Sequence, residues 1–132
     1  MNLWQSYKET IFLCHQGLAP GVSFAIISGQ NPAGQITHTL FNQLLDKKLQ
    51  QRLQQLGCPY RSVIGAAPDY SFQEKSWLVF CDKALGIALA EEFTQNAIYW
   101  VERNELYLVP VLLTGQEEYL GSFASRLVLL PA

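Results

Sequence analysis

Three sets of polar side chains in this 132-residue sequence have the types and spacing to do chemistry. The first is Asn31, Gln35 and Asn42, around the turn Asn31-Pro32-Ala33-Gly34. Pro32 fixes its own φ and moves Asn31 out of the helical region, while Gly34 permits a positive φ, so a strand ends here and a helix follows. Backbone N–H groups are free at such a junction and a helix N-terminus attracts anions. The expected ligand is therefore small and polar or anionic, held by Asn31, Gln35 and the turn backbone, with Asn42 nearby. The competing use of Asn31 is a turn in which its side chain satisfies its own backbone. The second set is Glu74 and Ser76, with Asp69 upstream. Two residues apart on an extended chain, Glu74 and Ser76 share a face. A carboxylate beside a hydroxyl can bind a ribose or serve as a general base. The plainer expectation is a capped turn with Glu74 in solvent. The third set is Gln95, at a helix-to-strand junction where an amide satisfies free carbonyls, and Glu102, expected in solvent beside a turn.

What the sequence lacks narrows the chemistry. No histidine completes a nucleophile relay with Ser76 by local spacing, since His15 and His38 are far away. Cys14, Cys58 and Cys81 are odd in number and contain no CxxC pair, so reduced, buried thiols are expected rather than a metal site. No cofactor fingerprint is present, and none is expected. The net charge is −2, and the densest basic stretch, Lys47, Lys48 and Arg52, stands beside Asp46. Extensive nucleic-acid binding needs concentrated positive charge, so it is disfavoured. The longest apolar run, Leu106 to Leu113, is broken by Pro110 and is far short of the roughly 18–20 residues a membrane span needs. Residues 1–10 have neither the basic start nor the apolar run of a secretory leader. A soluble, cytoplasmic protein is expected. With 49% hydrophobic and only 15% charged residues, residues 1–132 should fold as one domain with a substantial core.

Secondary structure must position these side chains. Residues 2–8 suit a short helix and Thr10 to Cys14 a strand. Gly17, Pro20 and Gly21 mark a loop before a strand at Val22 to Ser28. Ile36, Leu40, Phe41, Leu44, Leu45, Leu49, Leu53 and Leu56 recur at helical spacing, so a helix is expected over 38–56, capped by Thr37 or Thr39 and ended by Gly57. Its apolar face is wide enough to lie on a sheet. Tyr60 to Ala66 and Ser76 to Phe80 form strands around a polar loop at Pro68 to Lys75. Asp82 caps a second helix over 83–94 with Ala84, Leu85, Ala88, Leu89 and Phe93 inward, and Asn96 closes it in the left-handed conformation. Ala97 to Glu102 and Glu105 to Val109 flank Arg103-Asn104, a two-residue hairpin link.

This order excludes an all-parallel doubly wound sheet. The expected fold is α+β: a mixed, largely antiparallel sheet with two main helices on one face, nearest to the ferredoxin-like split βαβ topology. With Ala97, Tyr99 and Val101 facing the helices, Ile98 and Trp100 leave the second sheet face apolar and in need of a cover. The C-terminal extension, 114–132, or a second subunit in a homodimer supplies it. Within that extension Thr114 and Glu117 have capping-box spacing for a short helix. Leu127 to Leu130 reads as a last core strand, with an apolar tail docked on a partner as the alternative.

Several landmarks together resemble a bacterial family, domain of unknown function 3293. They are Tyr7 with Thr10, Phe24-Ala25-Ile26-Ile27-Ser28 leading into Asn31-Pro32-Ala33-Gly34, Asn42, Gly65, Glu74-Lys75-Ser76, and Phe93-Thr94-Gln95-Asn96-Ala97-Ile98. The resemblance spans about residues 4–110. The sequence departs from the family's usual pattern at Gln30 and Thr94. It implies a bacterial protein with one continuous fold, and it brings no established activity. On the residues themselves, a non-enzymatic binding or protein-interaction module is expected, with Asn31, Gln35, Asn42, Glu74, Ser76 and Gln95 as ligand-binding residues and no catalytic ones. The alternative is an enzyme acting on a nucleotide-like or other small polar substrate near the Asn31 turn.

Overall fold

The computed structural model describes residues 2–19 and 21–131; Pro20 lies outside them. In chain order the elements are α1 (Leu3–Lys8), β1 (Ile11–Cys14), β2 (Phe24–Ile27), α2 (Thr39–Leu56), β3 (Tyr60–Ala66), β4 (Gln73–Val79), α3 (Lys83–Glu92), β5 (Ala97–Glu102), β6 (Glu105–Pro110), β7 (Glu118–Ser122) and β8 (Leu127–Leu129).

Local chemistry explains most of the boundaries. Asn2 caps α1 by accepting from the Gln5 N–H, and Asp82 caps α3 by accepting from the Leu85 N–H at 2.8 Å. At α2 the cap is His38, whose Nδ1 accepts from the Leu40 N–H, rather than either threonine. Gly57, at φ 70°, closes α2 as expected. After α3 the left-handed residue is Thr94, not Asn96. Asn96 is instead buried with its carbonyl receiving the N–H of Val111. Arg103 and Asn104 are both left-handed, the conformation that a two-residue hairpin between twisted strands requires.

The eight strands form one mixed sheet in the order β7-β6-β5-β2-β4-β3-β1-β8. Every neighbouring pair is antiparallel except β1 with β8. The fold is thus α+β, with three α-helices among the described residues. The sheet curls strongly. Three strands separate β1 from β5, yet the Phe12 and Tyr99 rings stand 4.9 Å apart, edge to face. Arg126 helps hold the curl by donating to the carbonyls of Lys8, Thr10 and Leu120.

Side chains alternate between two cores. On one face Ala25, Ile27, Trp77, Val79, Ile98 and Trp100 form a cluster with Leu49 and Leu53 of α2 and Leu89 and Ala90 of α3. On the concave face Phe12, Phe24, Ile26, Val63, Leu78, Val101, Leu106 and Phe123 meet. The phase of β5 is therefore opposite to expectation: Ile98 and Trp100 face α3, and Tyr99 and Val101 face the concave side. The cause lies on α3, where Gly86 and Ala90 are buried while Ala84 and Ala88 are exposed. A Cβ at Gly86 would stand 3.0 Å from the Ala25 Cβ and 3.3 Å from Ile98 Cδ1. The helix approaches the sheet through its smallest residues.

The stripe on α2 is narrower than its sequence suggests. Leu49 and Leu53 are buried and Leu45 is half-buried, but Ile36, Leu40, Phe41, Leu44 and Leu56 are exposed. Up to Leu45 the helix packs on the 31–37 turn through Asn42 rather than on apolar sheet surface. The C-terminal segment also differs. No helix forms at 114–117; β7 follows, and Phe123, Leu120 and Leu127 cover the concave core. The apolar face that called for a second subunit is covered within the chain. Leu127–Leu129 is a strand at the sheet's edge rather than in its core, with Leu129 exposed. Among the described residues no helix is long and apolar enough to cross a membrane.

Candidate functional site

Toward one end of the concave face the alternation passes from apolar to polar. Along β2 it runs from Ile26 to Ser28, along β4 from Leu78 through Ser76 to Glu74, and along β5 from Val101 to Tyr99. The antiparallel pairing brings these three ends together. Helix α1 lies across them with Leu3 and Tyr7, and the turns at 31–34 and 67–72 form the sides. Together they enclose a cavity of about 800 Å³.

Glu74 is the central charged group of this cavity, and a relay of amides holds it. The Asn31 N–H donates to Asn42 Oδ1 at 2.8 Å, and Asn42 Nδ2 donates to Asn31 Oδ1 at 2.8 Å. The Thr37 N–H donates to the same Asn31 oxygen at 3.1 Å, so that oxygen is fixed by a backbone donor. Asn31 Nδ2 must then point the other way, and it donates to Glu74 Oε1 at 3.1 Å. Asn31 holds this position in the left-handed conformation, φ 47°, which few residues other than asparagine and glycine adopt readily.

Electrostatics follow from the burial. Loss of water pushes the Glu74 carboxyl up from 4.5 to about 7, against the pull of Asn31 and of the neighbouring Ser28 hydroxyl. Burial raises the Tyr7 phenol, opposed by the Asn96 amide that donates to it at 3.2 Å and reinforced by the charge of Glu74. Burial likewise raises the Tyr99 phenol, which donates to the Tyr7 carbonyl. Asp69 sits exposed at the rim, and the Ser71 hydroxyl and N–H that donate to it hold its carboxyl below the usual range. The charged residues that line the cavity are Glu9, Asp69 and Glu74, all acidic.

Of the six residues expected to bind a ligand, Asn31, Glu74, Ser76 and Gln95 line the cavity. Asn42 stands behind Asn31 and orients it. Gln35 is exposed and outside the cavity lining. Glu74 is not in solvent, because β4 begins at Gln73, earlier than expected, and turns it inward. Gln95 has the carbonyl-satisfying role expected of it, donating to Gln30 O at 3.1 Å and Phe93 O at 3.2 Å. The first N–H groups of α2 do not line the cavity, so the anion-attracting helix mouth is not part of it. Tyr7, Ser28, Asn96 and Tyr99 were absent from the expected set. Ser28 carried a signal, standing two residues beyond Ile26 on one strand face. Tyr7 and Asn96 stood out only as landmarks of a family resemblance.

Among the described residues no group of three or more His, Cys, Asp or Glu side chains is placed to hold a metal ion. A family model described as a protein of unknown function (DUF3293) matches residues 27–98. That span holds Asn31, Asn42, Glu74, Ser76, Gln95 and Asn96, and Tyr7 lies ahead of it. No curated protein and no solved structure matches the chain.

Proposed function

The chain belongs to the DUF3293 family, and we propose that it is a binding module whose small ligand occupies the cavity between α1 and the concave face of the sheet, with Glu74 as the polar anchor. One observation carries this reading. A carboxyl raised from 4.5 to about 7 costs the folded protein about 3 kcal/mol above neutral pH, and nothing in the packing requires an acid there. A glutamine would accept the same hydrogen bond from Asn31. A costly ionisable group, oriented by Asn42 and Asn31 and facing a cavity of about 800 Å³, is the pattern of a binding site.

The strand order β5-β2-β4-β3, with α2 and α3 as the connections, supports reading the middle of the chain as a ferredoxin-like split βαβ unit with both helices on one face. In that reading the cavity lies on the opposite face, where α1 and the C-terminal segment are later additions to the layer. An enzymatic reading has one observation in its favour: a carboxyl near pKa 7 is suited to general acid–base work at neutral pH.

The binding reading is tested by a fragment screen followed by amide NMR. Binders are expected to perturb Ser28, Glu74, Ser76 and Tyr99 together. The variant Ala97→Trp, which places a large ring in the cavity, should fold and lose those responses. Fragments that bind elsewhere, or bind the filled variant equally well, would remove the cavity from the function.

A further inference from the structure

We propose that the ligand of this cavity is an organic ammonium ion carried on an apolar or aromatic body, its charged head group placed against Glu74. This rests on the binding-site reading above and adds the chemical class.

The first argument is charge. Among the described residues Glu9, Asp69 and Glu74 line the cavity, and no lysine, arginine or histidine does. The nearby cations are engaged elsewhere. Lys8 pairs with Glu118 at 2.6 Å, Lys75 with Asp46 at 3.3 Å on the other face of β4, and Arg126 donates to backbone carbonyls. From the described side chains a phosphate or carboxylate entering the cavity would meet like charge.

The second argument is hydrogen-bond bookkeeping. The amide donors in the lining have protein partners: Asn31 Nδ2 on Glu74, Asn96 Nδ2 on Tyr7, and Gln95 Nε2 on two carbonyls. The acceptors are not used up. Gln95 Oε1 and Asn96 Oδ1 receive no protein hydrogen bond, yet Trp77 Nε1 is the one fully buried side-chain polar atom without a partner among the described residues. Both oxygens therefore retain access to water or ligand. Each lining amide nitrogen donates to at least one protein partner, whereas the Gln95 and Asn96 oxygens receive none, so the lining offers open acceptors beside its carboxylates, and an ammonium has donors and no acceptors. Leu3, Phe12, Ile36, Phe72 and Leu108 supply the apolar walls that suit a hydrocarbon body.

The pH dependence has a definite sign. An ammonium needs the ionised carboxylate, so affinity rises as pH passes through the Glu74 value. The groups facing Glu74 are Tyr7 from α1 and Tyr99 from β5, both phenols held above their ordinary value, and the uncharged Ser28 and Asn31. Asp69, at the rim, is held below its ordinary value. Only Glu74 among these titrates between pH 6 and 8.

The test uses three matched probes on the full chain: 2-phenylethylammonium, 2-phenylethanol and 3-phenylpropanoate, titrated by amide NMR at pH 6 and pH 8. The ammonium should bind at least about tenfold more tightly than the alcohol at pH 8, and about tenfold more tightly at pH 8 than at pH 6. The propanoate should bind least. Glu74→Gln should erase both the preference and the pH dependence. The alcohol or the propanoate binding as tightly as the ammonium would overturn the ligand class and leave the binding site standing. Silence from all three probes would overturn both.

Discussion

Glu74→Gln is expected to raise the stability of the protein by about 3 kcal/mol at pH 8 and to leave it nearly unchanged at pH 4. The folded carboxyl titrates at about 7 and its ordinary value is 4.5. Below the ordinary value both states hold the proton, and burial of a neutral carboxyl costs little. Between the two values the folded state keeps a proton that the unfolded state has released, so stability falls as pH rises. Above about 7 the penalty is complete, and glutamine, which never ionises, avoids it. The amide oxygen of glutamine can still accept from Asn31. Urea denaturation at pH 4, 6 and 8 measures the difference between wild type and variant. A variant that loses stability at pH 8 would show that the charge is favourably paired, and the reading of Glu74 as a costly functional group would fail.

Asn31→Ala should have the opposite sign and a similar size, a loss of about 4 kcal/mol. Two effects add. The Thr37 N–H and Asn42 Nδ2 lose the oxygen they share, and Glu74 loses its donor. Alanine must also adopt the left-handed conformation, at a cost of about 1 kcal/mol. Asn31→Gly separates the two, because glycine accepts φ 47° without strain. It should recover the backbone share, about 1 kcal/mol, and none of the side-chain share. In both variants the Glu74 carboxyl should move above about 7, since an opposing influence has been removed. Losses below about 1 kcal/mol in denaturant melts would mean that the amide relay does not hold the site together.

The elements were legible where local physics decides them. The span of β3, the Asp82 cap and the Arg103-Asn104 hairpin follow from residue types alone, and the structure has them. The phase of β5 was not legible. Ala97 to Val101 is apolar at nearly every position, so only the contact of Gly86 with Ala25 and Ile98 chooses its inward face. The exposed leucines of α2 were hidden for a related reason. Periodicity records which residues share a helix face, not how far that face overlaps the sheet.

The site divides in the same way. That Glu74 and Ser76 share a face is a local fact and was legible; the structure puts both, with Asn31, in the cavity lining. Their enclosure by α1 was not legible. It depends on the curl that brings Phe12 to Tyr99, and on Tyr7 reaching Asn96 across 89 positions of sequence. The helix mouth, where a small polar or anionic ligand was expected, lies outside the cavity: the dipole argument concerns α2, whereas the lining comes from strands, turns and α1, and its charged side chains are carboxylates. Gln35, close to Asn31 in sequence, turns outward beyond the 31–34 turn.

Carbon-detected NMR of the Glu74 side-chain carboxyl, titrated from pH 3 to 9, addresses the central claim most directly. A midpoint near 7 that falls when 2-phenylethylammonium is added is the predicted result. A midpoint near 4.5, indifferent to the ammonium, would contradict it.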